Sequence, residues 1–259
     1  MHKGIKSHLL KILDAGRRLD GRANILEIRK PVKVEKGISN TAEGSSKVSI
    51  GDTEVLAGVK VEISEPYPDR PDEGTIMVGA ELIPLSNPEF ESGPPTIQAI
   101  ELARVVDRGI RESKAVDFKK LCIKQAEKAW ILLIDIVVLN DDGNLIDASA
   151  LAVLAALQDM RFPEYDGEKI DYKKKTDNGL ELNKEPIAVT VSKVGKHFIV
   201  DPTLSEEKVI DSRLTVTTTK DGTICALQKG GEYTISEDDV SRMIDIGIEK
   251  SKLLRQALG

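Results

Sequence analysis

Apolar positions along the chain fall into helical and strand-like periods separated by polar loops. Over residues 97–111, Ile97, Ile100, Ala103 or Val106, and Ile110 recur on one stripe, which predicts an amphipathic helix. Arg104, Arg108 and Arg111 stand at i, i+4 and i+7 and share the opposite face. Such a row spans two turns, roughly 10 Å, the scale of successive phosphates on an extended nucleic-acid strand. A plainer reading is a solvated face laced with ion pairs. Asp107 precedes Arg111 by one helical turn, and Glu101 and Glu112 flank the row. The helix by itself favours the plainer reading, and the rest of the chain shifts that balance.

Another helix is predicted over about 3–15, with Ile5, Leu9, Ile12 and Leu13 on one face. A strand-rich block follows: residues 47–50 alternate, Gly51-Asp52 turns the chain, and 54–63 continues as a long strand. Residues 76–83 read as a strand and 84–95 as a Pro- and Gly-rich loop. The plan then repeats loosely. Residues 129–139 read as a nearly continuous buried strand and Asp142-Gly143 as a turn. Residues 148–160 read as a helix apolar nearly all round, hence buried between layers. Residues 161–186 are polar and read as an exposed insertion, with Lys173, Lys174 and Lys175 a solvated run. Hairpins are predicted around Gly195 and around Asp221-Gly222. The last helix follows an N-cap at Ser236, carries Glu237, Asp238 and Asp239 in its first turn, and ends near Leu258. This order predicts an α+β fold of mixed sheets packed with helices. One domain is expected, with duplicated strand–helix halves at about 25–125 and 126–259 behind the helix at 3–15.

Composition narrows the classes. Of 259 residues, 40% are hydrophobic and 31% charged, which suits a sizeable core under a charged surface. Aromatic residues make up 3%, so base-stacking platforms are scarce. The net charge of −6 argues against a free-standing non-specific nucleic-acid binder, but not against a local basic groove. No N-terminal stretch has a signal-peptide core, and the longest apolar run, 129–139, is short for a bilayer and broken by Asp135. A cytoplasmic protein without membrane contact is expected. Cys122 and Cys225 lack metal-ligand spacing, and His2, His8 and His197 are scattered, so reduced structural thiols and no metal site are expected.

Arg18-Leu19-Asp20-Gly21-Arg22 is followed by Gly44-Ser45-Ser46, Val48, Gly51-Asp52-Thr53 and Val55-Leu56-Ala57. Then come Phe90-Glu91-x-Gly93-Pro94-Pro95, the run from Glu101 to Arg108, and Val200-Asp201-Pro202. In this order, over nearly the whole chain, these motifs resemble the RNase PH family of phosphorolytic exoribonucleases. Within it they are most similar to the archaeal exosome ring subunits that lack a complete active site. The resemblance implies an RNase PH-like fold and alternation with a catalytic RNase PH-type sister subunit in a hexameric ring. RNA-binding cap proteins would dock on that ring. It would degrade single-stranded RNA from the 3′ end, using inorganic phosphate. Phosphate and a divalent metal would act at the sister subunit, and this chain would hold no cofactor.

The departures from the family pattern matter as much. Competent relatives carry Gly-Gly-Ser/Thr-Arg after the central strand, where N–H groups, a hydroxyl and a guanidinium cradle the attacking phosphate. Gly143-Asn144-Leu145-Ile146 stands there in this chain. Leu145 and Ile146 offer neither hydroxyl nor charge, and Asp147 is expected to repel phosphate. Competent relatives also end an acidic run with an Asp that binds metal or acts as general acid. That position falls at Glu207 or, shifted by one, at Lys208, with Asp211 nearby. The expectation is no catalytic residue in this chain, with Arg104 and Arg108 contacting RNA phosphates and Arg111 behind them, because Asp107 holds it. A self-sufficient phosphate-dependent exoribonuclease using Glu207 or Asp211, and a purely architectural ring subunit, are the alternatives. Arg17, Arg18 and Arg22 read as ion-pairing residues near a turn, Asp201 as an Asp-Pro turn residue, Trp130 as core or interface, and Ser149 as a helix-packing residue.

Overall fold

Alternation of apolar side chains builds the first of the sheets. The computed structural model describes residues 2–259. After α1 (His2–Asp14) come β1 (Val32–Lys36), β2 (Gly44–Ile50), β3 (Thr53–Ser64) and β4 (Thr75–Leu82), then α2 (Ile97–Glu112), β5 (Cys122–Lys124) and β6 (Lys128–Asn140). The strand order is β1-β2-β3-β6-β4, with β5 also paired to β6. β4 and β6 run parallel and the other pairs antiparallel. A parallel pair needs a crossover, and α2 supplies it. Val55, Ala57, Val59 and Val61 on β3 are buried, and their alternate neighbours face outward.

The second sheet holds the predicted hairpins. α3 (Leu145–Asp159) leads to a hairpin of β7 (Arg161–Tyr165) and β8 (Ile170–Gly179). Then β9 (Ile187–Val194), β10 (His197–Val200), the single turn α4 (Leu204–Glu207), β11 (Ser212–Thr218) and β12 (Ile224–Gly230) follow, before α5 (Glu237–Gln256). The order is β10-β9-β11-β12, antiparallel throughout. α5 packs on β9 and β11. Its start is a reciprocal cap in which Ser236 and Asp239 each accept the other's backbone N–H. Leu9 and Leu13 of α1 form a smaller core with Val194, Ile199 and Val209.

α3 lies between the sheets, in contact with β2, β3 and β9. Its residues from Leu151 to Leu157 are at most 2% exposed, because a helix apolar on every side can satisfy two layers at once. The strand β2 comes so close that a Cβ on Gly44 would lie 2.3 Å from the Ala156 carbonyl oxygen. Only glycine permits that approach.

Several sequence expectations change. α3 begins at Leu145 rather than near 148, so Leu145, Ile146 and Asp147 form its first turn. The strand at 129–139, read as the start of a repeated block and as nearly continuously buried, instead sits inside the first sheet and alternates, with Asp135 exposed. Its apolar outer residues gave the appearance of a continuous run. The polar segment 161–186, read as an exposed insertion, is largely exposed and carries the β7–β8 hairpin. β5 and α4 are too short to show a period, and β1, β5 and α4 lie outside the elements that the sequence predicts.

The N-terminal segment is anchored by a buried ion pair. The side chains of Arg18 and Glu206 are both fully buried. Arg18 Nε donates to Glu206 Oε1 at 2.9 Å, and Nη1 donates to the carbonyls of Val200 (2.8 Å) and Ile25 (2.9 Å). Burial works to raise the Glu206 pKa, but the bonds from Arg18 outweigh it and hold the carboxyl below its ordinary value. Arg18→Ala therefore strands a buried carboxylate and should cost about 3–5 kcal/mol in urea unfolding. Combining Arg18→Met with Glu206→Leu should recover most of that loss. A single-variant loss under about 1 kcal/mol would show that the pair anchors nothing.

Candidate nucleic-acid interface

The arginine row rides on a helix fixed at both ends. Thr96 caps α2 by accepting the Ala99 N–H at 3.2 Å, and the Ser113 N–H closes the other end on the Arg111 carbonyl. The buried stripe is Ala99, Leu102, Ala103, Val105, Val106, Gly109 and Ile110. Ile97 and Ile100, predicted on that stripe, are instead 88% and 48% exposed. The stripe is rotated because α2 must reach β4, β12 and α3 together, which brings the small Ala99, Ala103 and Gly109 inward.

The three arginines differ in what holds them. Arg104 is exposed and has no hydrogen bond or ion pair among the described residues. Arg108, also exposed, donates to the neutral Gln228 Oε1 of β12 at 2.6 Å. Arg111 grips both oxygens of Asp107 (3.1 and 2.9 Å), donates to the Ile76 carbonyl (3.1 Å) and lies 5.4 Å from the Phe118 ring centre. Glu101 turns away from the row and pairs with Arg213 of β11 at 2.7 Å. Glu112 has no ion pair among the described residues. The ion-paired reading thus holds for Arg111 and not for Arg104 or Arg108.

The entrance of α3 is the other candidate region. Gly143 adopts φ +89°, and a Cβ there would lie 2.5 Å from the Pro202 carbonyl oxygen. The glycine lets the 202–204 loop close over the helix start. Asn144 takes a left-handed φ of +61° and makes no side-chain cap. Its side chain reaches Asp201 Oδ1 at 2.9 Å, and its backbone N–H donates to Glu207 Oε1 at 2.7 Å. Burial pushes the Glu207 carboxyl up to about 7.

Asp147 does not project toward the entrance, as the sequence suggested. It is buried and accepts the Thr190 N–H (3.0 Å) and hydroxyl (2.7 Å), which turns it into the core. Burial, only partly offset by Thr190, pushes its carboxyl up to about 7.

The other residues singled out in the sequence take the following places. Asp201 is buried at φ +48° and accepts from Arg22, Arg29 and Asn144, so it does far more than shape an Asp-Pro turn. Arg18 and Arg22 are held by carboxylates. Trp130 packs against Phe162 and Tyr165, with ring centres 5.5 and 5.8 Å away. Ser149 is fully buried within α3. Cys122 and Cys225 are free thiols. Asp211 is held by Lys6 and accepts the Gly195 N–H. Among the described residues, no three His, Cys, Asp or Glu side chains are grouped to hold a metal ion, and no helix is long and apolar enough to cross a membrane. Arg213 and Gln228 were not anticipated. They meet α2 only through tertiary packing, and Arg213 joins β11 ahead of the apolar alternation that starts at Leu214.

Residues 28–163 match the model of the 3′ exoribonuclease family, domain 1, and residues 184–250 match domain 2. The chain is similar to the exosome complex component Rrp42 of Archaeoglobus fulgidus, at 46% identity over 97% of this chain and 94% of that protein. It is similar to Rrp42 of Methanopyrus kandleri at 43% identity, over 98% and 96%. Among solved structures it is similar to a chain of the Archaeoglobus fulgidus exosome with RNA bound to the active site, at TM-score 0.91 and 44% identity, covering 100% of this chain and 99% of that one. A chain of an archaeal exosome core matches at TM-score 0.86 and 42% identity, over 99% and 97%.

Asp147 should leave a pH signature in stability. Its pKa is raised on folding from the ordinary 3.8 to about 7, so the folded state binds the proton more tightly. The stabilisation is complete below about pH 4 and is lost as pH rises through 7. Asp147→Asn keeps both contacts: its oxygen accepts the Thr190 N–H, and its amide donates to the Thr190 hydroxyl, which turns to Thr215. Relative to Asp147→Asn, the wild-type protein should lose on the order of 3–4 kcal/mol between about pH 4 and pH 7.5, measured by chemical denaturation. Parallel pH curves for the two proteins would refute the raised pKa.

Proposed function

The chain belongs to the 3′ exoribonuclease family, matching both of its domain models, and on that premise we propose that it is a non-catalytic ring subunit of an archaeal exosome. It alternates with a catalytic RNase PH-type sister subunit in a hexamer, binds RNA-binding cap proteins, and works in the cytoplasm. Its similarity to Rrp42 proteins and to archaeal exosome chains supports this reading. The observation that carries the absence of catalysis is the entrance of α3. Leu145 and Ile146 supply no phosphate-binding group there, and the Asn144 N–H is already bonded to Glu207. Inorganic phosphate and a divalent metal act at the sister subunit, and this chain needs no cofactor.

Its contribution to the chemistry is grip. Arg104 and Arg108 hold backbone phosphates of single-stranded RNA, and Arg111, bound to Asp107, contributes less. A phosphate is a charged acceptor and outcompetes the neutral Gln228 for Arg108. Grip on phosphates ignores base identity, as a general RNA-degrading complex requires. Holding the strand near the sister's reacting groups supplies much of a rate without any catalytic group in this chain.

Two outcomes test this. The isolated chain, incubated with poly(A) and inorganic phosphate, should release no nucleoside diphosphate; steady turnover by a contaminant-free preparation would make it a nuclease in its own right. In the assembled complex, Arg104→Ala with Arg108→Ala should weaken RNA binding equally across sequences. It should also flatten the log–log salt dependence by about 0.7 per lost phosphate contact. An intact ring with unchanged affinity and slope would remove these arginines from RNA contact.

A further inference from the structure

Glu101 precedes Arg104 by three residues on α2, a spacing and order at which a carboxylate and a guanidinium pair on a helix surface. Arg111 shows what such pairing does, since Asp107 takes both its Nε and its Nη2. Arg104 escapes because Glu101 is engaged elsewhere: its Oε1 accepts from Arg213 Nη2 of β11 at 2.7 Å. The second sheet makes room for that reach. Arg213 pairs in register with Gly230 of β12, and a Cβ on Gly230 would lie 2.7 Å from the Arg213 Cζ. The missing side chain leaves the guanidinium free to lie across β12.

Arg108 is held from the same sheet. Glu101 and Arg108 stand two turns apart along one side of α2. On the sheet, Gln228 of β12 pairs with Thr215, and Arg213 lies two residues before Thr215, so Arg213 and Gln228 share one face. Gln228 Oε1 accepts from Arg108 at 2.6 Å, while its Nε2 donates to the Lys229 carbonyl at 3.1 Å. The amide is thereby oriented, and it orients the guanidinium without cancelling its charge. A carboxylate at 228 would do to Arg108 what Asp107 does to Arg111.

We propose that Arg213 and Gln228 are positioning residues for RNA binding: Arg213 draws the Glu101 carboxylate away from Arg104, and Gln228 presets Arg108 with an uncharged acceptor. The inference rests on the reading that Arg104 and Arg108 hold RNA phosphates. It adds that their charge is kept available by side chains 112 and 120 residues away from their α2 partners in sequence. Without Arg213, Glu101 falls back on Arg104 and competes with phosphate for it. Without Gln228, Arg108 keeps its charge but loses its fixed position, and ordering it on RNA then costs more.

The assembled ring is the test system, with the Kd for a fluorescent poly(A) strand measured at several salt concentrations and ring mass checked in parallel. Arg213→Met should weaken binding about twofold, the strength of one ion pair along a helix. Arg213→Lys keeps a cation for Glu101 and should bind like the wild type. The decisive readout is coupling: Glu101→Gln should restore binding in the Arg213→Met ring and improve it far less in the wild-type ring, where Glu101 is already withdrawn. Equal gains in both rings would mean plain charge removal and would overturn the role of Arg213. Gln228→Glu should weaken binding about fivefold, the upper range for an exposed ion pair. It should also lower the log–log salt slope by about 0.7, whereas Gln228→Ala should weaken binding about twofold and keep the slope. Unchanged affinity and slope in Gln228→Glu would overturn the role of Gln228. Arg104→Ala with Arg108→Ala separates the two levels. If that pair weakens binding while the Arg213 and Gln228 variants do not, the positioning roles fall and RNA contact stands; if it does not, both fall.

Discussion

The structure around both candidate regions depends on the pairing of one buried carboxylate. Asp201 is 1% exposed and accepts hydrogen bonds from Arg22 and Arg29 of the N-terminal segment and from Asn144 at the entrance of α3. A carboxylate in that setting is tolerable only when every oxygen is matched by cations and donors. Arg29 meets the requirement most fully, with its backbone N–H, Nε and Nη2 all directed at Asp201, and it also binds the Asp142 and Gly143 carbonyls. Three chain segments more than fifty residues apart in sequence are thus held at one point.

The consequences spread outward from that node. With Asp201 fixed in a left-handed conformation, the chain turns immediately into the 202–204 loop, which lies against Gly143. That loop sets the α4 turn, whose Glu206 receives Arg18 and whose Glu207 receives the Asn144 N–H. The helix end that could receive a free anion is instead occupied from within. The Asn144 N–H at this position is therefore already bonded within the protein, beside Leu145 and Ile146, which carry no polar group.

The arginine face has a separate origin. α2 exists as a crossover because β4 and β6 run parallel, and its small residues let it lie against both sheets. Arg108 consequently meets Gln228 on β12 and Arg111 meets the Ile76 carbonyl on β4, while Arg104 stays free of protein partners among the described residues. A row that looks uniform in sequence becomes graded in availability.

The sequence by itself determined the α+β class, the long alternating strand over 54–63, the Gly195 and Asp221-Gly222 hairpins, the N-cap and approximate extent of the last helix, and the shared face of Arg104, Arg108 and Arg111. Those features depend on local period, turn chemistry and residues within a few positions of one another. It also exposed the departures at Leu145, Ile146 and Glu207, since a missing hydroxyl or guanidinium is visible without coordinates. The tertiary structure alone decided that Asp147 turns inward to Thr190, that Glu101 serves Arg213 rather than the arginine row, that the strand at 128–140 belongs to the first sheet, and that Glu207 caps Asn144. Each of these joins residues distant in sequence, and the competition for a buried charge or donor is settled only when the sheets close around α3.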